Sequence, residues 1–258
     1  MKVTIIGAGN MGGAIARGLA KGTIVGAADI TVSDPSEKML QQLQKEFPEM
    51  VVTTDNRTAV GDADFVIVAV KPWLMKPVLA ELPLQSQQVL VSVAAGVSFE
   101  QLVEYTAAPE MTMFRLVPNT AMSQLESMTL IASRQATPEH ERLMVEIFNE
   151  MGLAMLVPES QIAATTALTS CGIAYVLKYI QAAMQAGVEM GLYPKDAQRM
   201  VAQSVKGAAA LILNNDNTHP SLEIDKVTTP GGITIKGINE LEHAGFTSAI
   251  IRAMKASR

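Results

Sequence analysis

The 258-residue chain has a single cysteine, Cys171. No intrachain disulfide can brace it, and a reducing, cytoplasmic setting is expected. Aromatic residues make up only 4% of the chain, with one tryptophan, and the charges are scattered and sum to −5. No basic run and no basic patch interleaved with aromatics is present, so nucleic acid is not an expected partner. None of the three histidines is spaced with Cys171 as a metal site requires, and no metal is expected. The apolar pattern starts by Lys2, and no secretory leader is expected. The longest uncharged run, Ser160 to Leu177, carries Ser160, Gln161, Thr165, Thr166, Thr169 and Ser170. It reads as a buried helix rather than a membrane span. A hydrophobic content of 48% then points to a large subunit interface.

What the chain does have is concentrated at its start. The run Lys2-Val3-Thr4-Ile5-Ile6 ends in Gly7-Ala8-Gly9-Asn10-Met11-Gly12, and a helical stripe of Ala14, Ile15, Gly18 and Leu19 follows. That is strand, tight turn and helix with G-x-G-x-x-G spacing. Gly7 permits the sharp turn, Gly9 lets a pyrophosphate approach, and Gly12 lets helix pack on strand. The helix start offers N–H groups and a positive dipole end to that phosphate. Further strands are predicted at 30–34, 50–53, 64–70, 89–93, 113–117, 128–132 and 153–157, with helices between them. Alternation of this kind predicts an α/β fold, a Rossmann-type doubly wound sheet.

After Pro158 the texture changes. Residues 159–191 are alanine-rich and helical throughout, with a possible bend at Gly172, and unbroken would span about 50 Å. Pro194 opens a second helix with a stripe of Ala197, Val201, Val205, Ala208 and Ile212; two more follow, after Pro230 and from about Phe246. Two domains are expected: a dinucleotide-binding domain at 1–157 and an all-helical substrate and dimerisation domain at 158–258. Helices this long and apolar predict interleaving with a second copy as a homodimer.

Ligands bind such sheets beyond the carboxyl ends of the strands. This singles out the loops at 7–12, Ser33-Asp34, Val70-Lys71-Pro72, 94–96 and 117–120. Asp34 lies where an acid bonds the adenosine ribose, which favours NAD; Ser33, Ser36 and Lys38 would suit NADP. Asp34 also reads as a cap for the helix after Pro35. A second signal is Thr228-Thr229-Pro230-Gly231-Gly232-Ile233-Thr234, leading into a helix. The amides of Gly231, Gly232 and Ile233 would form a second anion site suited to a carboxylate, with hydroxyls from Thr229 and Thr234.

The 227–242 segment closely resembles the signature of pyrroline-5-carboxylate reductases. The likeness extends through Ile5 to Gly12, Ala69-Val70-Lys71-Pro72, Ser92 to Gly96 and Val117-Pro118-Asn119-Thr120. It implies hydride delivery from NADPH or NADH to a cyclic imino acid, 1-pyrroline-5-carboxylate, giving proline in the last step of proline synthesis. It implies a helix-exchanged dimer and often a ring of five dimers. It implies that Thr229 and the amides of Gly231 to Thr234 meet the substrate carboxylate, and that the Thr234 hydroxyl faces the ring nitrogen. It also implies that Gly7, Gly9, Asn10, Met11, Gly12, Ser33, Asp34, Asn56, Ala69, Val70, Lys71 and Pro72 hold the cofactor, with Ala95 and Asn119 near the nicotinamide. Two places depart from the family pattern. Where the family reads Gly-Ser-Gly-Pro-Ala-Tyr at the long helix, this chain reads Thr169-Ser170-Cys171-Gly172-Ile173-Ala174-Tyr175, with only Gly172, Ala174 and Tyr175 in place. Thr229 stands where Ser is usual. Two other readings remain: a hydroxyacid dehydrogenase using Lys178, and a dinucleotide-binding regulator without turnover.

Overall fold

In the computed structural model, which describes residues 1–258, the first apolar run forms β1 (Val3–Ile6), buried along its length. Next come β2 (Ile30–Ser33), β3 (Val51–Thr53), β4 (Phe65–Val68), β5 (Val89–Ser92), β6 (Met113–Val117), β7 (Ser127–Arg134) and β8 (Gly152–Leu156). They form one eight-stranded sheet in the order β3-β2-β1-β4-β5-β6-β7-β8. β1 to β6 pair in parallel, β7 runs against β6, and β8 is parallel to β7. Winding outward from β1 in both directions is the expected doubly wound plan. The reversal at β7 follows from a short connection. Residues 118–126 cannot hold the crossover of about a dozen residues that a parallel partner needs.

The helices of this region are α1 (Asn10–Lys21), α2 (Glu37–Glu46), α3 (Asn56–Ala59), α4 (Met75–Glu81), α5 (Phe99–Thr106) and α6 (Pro138–Asn149). Side-chain alternation splits the sheet's burial between two faces. Phe65 and Ile67 join Ile15 and Leu19 of α1 and Met144 and Phe148 of α6. Val66 and Val68 join Met75 and Leu79 of α4 and Phe99 and Leu102 of α5. Covering both faces is why β4 is apolar at every position. Each such buried side chain stabilises the fold by about 1.5–3 kcal/mol. The helix starts are written locally: Ser98 and Gln101 form a capping box on α5, and Thr137 caps α6 with Pro138 in its first turn.

The chain divides into two compact units, Met1–Ser170 and Cys171–Arg258. The first unit runs past the expected boundary at Pro158. The cause is burial: in α7 (Ile162–Thr166), Ile162 enters the second core cluster, and Ala167 is buried just after it. Because β7 and β8 run against the first six strands, the chain leaves the sheet at the edge opposite the strands' carboxyl ends. The segment 159–170 then climbs back, until the Ser170 hydroxyl donates to the Pro118 carbonyl at 3.1 Å, just beyond β6. A π-helical turn occupies Ala167–Cys171, immediately before the glycine where a bend was expected. The helical stretch Glu159–Glu189 is long and apolar enough to cross a membrane by length and composition. Only 17% of its most apolar window is buried, so the buried helix expected from sequence is largely exposed in the single chain.

The second unit comprises α8 (Gly172–Glu189), α9 (Pro194–Leu213), α10 (Pro220–Val227), α11 (Ile233–His243) and α12 (Phe246–Ala256). α10 was not anticipated. Its start is marked by Pro220, and the His219 Nδ1 accepts from the Ser221 N–H at 3.2 Å as a cap. Within this unit only Gly172, Gly187 and Ala197 are fully buried. Gly187 lets α8 and α9 close together, since a Cβ there would stand 3.1 Å from the Ala197 methyl. Leu177, Tyr179, Met200, Leu211, Ile224 and Ile251 remain exposed.

Candidate active site

The glycine turn after β1 forms the floor of a cleft of about 1170 Å³, built wholly from the first unit. Gly7 adopts φ +103°, which L side chains avoid, and a Cβ on it would sit 2.9 Å from the Ala69 carbonyl oxygen. Gly9 faces open space, with no atom within 4 Å of where a Cβ would stand. No side chain caps α1, so its first amides are left for a ligand. This is the cradle that a dinucleotide pyrophosphate fits.

Most of the residues singled out from sequence line this cleft: Gly7, Gly9, Asn10, Met11, Ser33, Asp34, Asn56, Ala69, Val70, Lys71, Pro72 and Ala95. Gly12 and Asn119 do not. Gly12 is buried beneath the turn, where a side chain would collide with the Gly7 carbonyl. Asn119 is also buried. Its carboxamide oxygen accepts from the Ala121 N–H at 3.0 Å, and its own N–H donates to the Ser127 hydroxyl at 3.1 Å. Asn119 therefore shapes the loop, while its neighbour Thr120 reaches the cleft with Met122, Ser123 and Leu125. Thr120 belongs to the 117–120 loop singled out from sequence, but nothing in the pattern separates Met122, Ser123 and Leu125 from ordinary loop residues.

Asp34 is held on both sides. Oδ2 accepts from the Ala8 N–H at 2.7 Å and Oδ1 from the Ser36 N–H at 2.8 Å. The N-cap position of α2 that Asp34 was read as filling is occupied by Ser36, whose side chain makes no capping hydrogen bond. The Ala8 amide escaped notice because an alanine inside a glycine turn carries no side-chain signal. Beneath Asp34, the Ser33 hydroxyl donates to Asn56 Oδ1 at 2.7 Å, fixing the start of α3 against β2. On the α1 wall, the Arg17 guanidinium donates to Glu46 at 2.6 and 2.9 Å and to the Gly13 carbonyl at 3.1 Å. The hydrogen bond from Arg17, with its positive charge, holds the Glu46 carboxyl below its ordinary range, and the pairing raises Arg17.

In the second unit, Thr228 to Gly232 turn tightly into α11. Gly231 has φ +72°, and the Gly232 N–H donates to the Thr229 carbonyl at 2.9 Å. A Cβ on Gly232 would lie 2.6 Å from the Thr229 hydroxyl, so glycine is what lets that hydroxyl lean over the helix start. α11 has no side-chain cap, and Ile233 is 86% exposed. The Thr228 hydroxyl is spent on the carbonyls of Ile224 and Asp225. Those of Thr229 and Thr234 have no partner within the chain. The Gly232 amide is used within the turn; the other first amides of α11 and these two hydroxyls are donors that a carboxylate can accept from. Lys178 is exposed on α8, where its Nζ donates to Gln181 at 2.9 Å.

Comparison with known proteins agrees with both halves. Residues 2–96 match the family described as NADP oxidoreductase coenzyme F420-dependent. Residues 159–258 match the one described as pyrroline-5-carboxylate reductase dimerisation. A pyrroline-5-carboxylate reductase of Methanosarcina acetivorans is 38% identical over 268 residues, covering 100% of this chain and 97% of that one. Pyrroline-5-carboxylate reductase 1 of Dictyostelium discoideum is 37% identical over 269 residues. That match takes in 99% of this chain, which spans about half, 48%, of the longer relative. Among solved structures, a Plasmodium falciparum pyrroline carboxylate reductase with NADP bound superposes with a TM-score of 0.88 at 26% identity, covering 100% of this chain and 95% of that one. With a full-length relative at this identity and both halves matched, the chain belongs to the pyrroline-5-carboxylate reductase family.

Proposed function

We propose that the chain reduces the C=N bond of 1-pyrroline-5-carboxylate to L-proline, with NADH or NADPH as hydride source, as the last step of proline synthesis. The observation that carries this reading is the uncapped start of α11 with the Thr229 and Thr234 hydroxyls beside it. The reduced nicotinamide, when bound, supplies the hydride. The amides at the start of α1 would hold the pyrophosphate, and Asn56 and the Lys71-Pro72 loop line the rest of the groove. Ala95, which lines the cleft, would contact the nicotinamide, and Asn119 keeps the neighbouring loop in shape. In the second unit, Thr229 and the amides of Gly231, Ile233 and Thr234 bind the acid group of the imine; the Gly232 N–H, expected to join them, is spent on the Thr229 carbonyl. The Thr234 hydroxyl orients the ring nitrogen. An alcohol is too weak an acid to supply the proton, and a protonated cyclic imine is already electrophilic. Positioning and charge stabilisation are therefore what these residues contribute.

In the same reading, α8 to α12 pair with those of a second copy, and five such dimers close a ring in the cytoplasm. The apolar surface that the single chain leaves exposed on these helices supports the dimer. The test is consumption of NADH and NADPH with pyrroline-5-carboxylate as substrate. Both the parent rate and a fall of about ten- to a hundredfold in Thr234→Ala, with NADH affinity retained, are expected. Cofactor binding without turnover in the parent would discard the reading.

A further inference from the structure

Granting that the cleft holds the dinucleotide, we propose that Asp34 sets the choice between the two cofactors, making this chain selective for NADH over NADPH. The hydrogen bond from the Ala8 amide places the Asp34 carboxylate against the glycine turn, one residue from Gly9. That is where the adenosine ribose next to a bound pyrophosphate must lie. The second amide, from Ser36, fixes the carboxylate's orientation. Each oxygen accepts one N–H and keeps capacity for another donor. The 2′ and 3′ hydroxyls of NADH supply such donors. The 2′-phosphate of NADPH brings more than one negative charge to the same place.

Of the cations that line the cleft, Arg17, Lys21 and Lys71, none is positioned to offset that repulsion, and Lys38 of α2, which would suit NADP, is not among the lining residues. Arg17 is committed to Glu46 and to the Gly13 carbonyl. Lys21 lines the cleft but stands at the far end of α1, roughly 16 Å along the helix from Asn10. Lys71 follows β4, which pairs with β1 on the side away from β2, roughly 10 Å across the sheet. Glu37, in the first turn of α2, adds a further negative charge. The Plasmodium falciparum neighbour holds NADP, so the fold itself is not what excludes it.

The test compares both cofactors on the full chain. For the parent, kcat/KM with NADPH should be lower than with NADH by at least about tenfold, and Asp34→Ser should shift the ratio toward NADPH by about tenfold. A parent that uses NADPH as well as NADH, or a ratio unmoved in Asp34→Ser, overturns the proposal. Loss of the Ala8 bond could unsettle the turn in that variant. A second measurement therefore uses the unaltered protein: displacement of NADH by adenosine 5′-monophosphate and by adenosine 2′,5′-bisphosphate, which differ only in the 2′-phosphate. The former should displace at least about tenfold more strongly, and equal displacement overturns the proposal. Binding of neither cofactor would overturn the reading of the cleft itself, and this preference with it.

Discussion

A Cβ on Gly12 would stand 1.9 Å from the Gly7 carbonyl oxygen, whereas one on Gly9, two residues past that carbonyl, would meet nothing within 4 Å. The two glycines should therefore fail in different ways. Gly12→Ala must push α1 off the turn and should cost at least about 3 kcal/mol, read from the denaturation midpoint. Gly9 has φ −63°, which alanine adopts freely. Gly9→Ala should keep stability within about 1 kcal/mol while weakening NADH binding at least tenfold, because its methyl fills the place of the pyrophosphate. Equal losses of stability in the two variants would contradict this division.

The Glu159 carboxylate bonds the buried Arg115 guanidinium and accepts from the Phe99 N–H at 2.9 Å. Glu159→Ala should lower stability by about 2–4 kcal/mol, because it strands a charge that is 8% exposed. Arg115→Met added to it should restore much of that loss. A double variant no better than the single would mean that the Phe99 contact, not the charge, was what mattered.

Arg17 and Glu46 give a pH signature. The carboxyl titrates below its ordinary 4.5 when folded. Its contribution is therefore fully present above that value and fades as pH falls through the lowered one. Both side chains are about one-third exposed or more, at 33% and 39%, so screening keeps the contribution below about 1 kcal/mol. Glu46→Gln should melt slightly lower than the parent at neutral pH, and the two should converge as the pH falls below the lowered value of the carboxyl. A gap that widened on acidification would mean another group is responsible.

Leu211 on α9 and Ile251 on α12 lie exposed in a unit with almost no interior of its own. Leu211→Glu should shift the sedimenting species toward the single chain and lower the melting temperature together. A variant that stays assembled with unchanged melting would move the interface to another face.

Much of this was readable from residues. β4 reads as a two-sided buried strand, and Ser98, Thr137 and Pro138 announce their helices. The glycine turn and the Thr229 to Thr234 segment mark two helix starts without a side-chain cap, those of α1 and α11, because each needs particular backbone freedom at fixed spacing. What was hidden depends on contacts distant in sequence. The direction of β7 is set by a short connection rather than by its own pattern. Asn119 looks like a ligand residue until Ala121 and Ser127 are seen to occupy it. The unit boundary rests on Ile162 reaching a core assembled from strands far earlier.

Trp73, the chain's one tryptophan, is 74% exposed between Pro72 and Leu74, both of which line the cleft. Its emission thus samples the first unit alone, at the rim of the nucleotide groove. Reduced nicotinamide absorbs where indole emits, so energy transfer from this lone donor offers a binding isotherm without any label. Far-ultraviolet ellipticity draws heavily on the long helices α8 and α9. A melt followed in both channels would separate the fate of the groove from that of the helical unit.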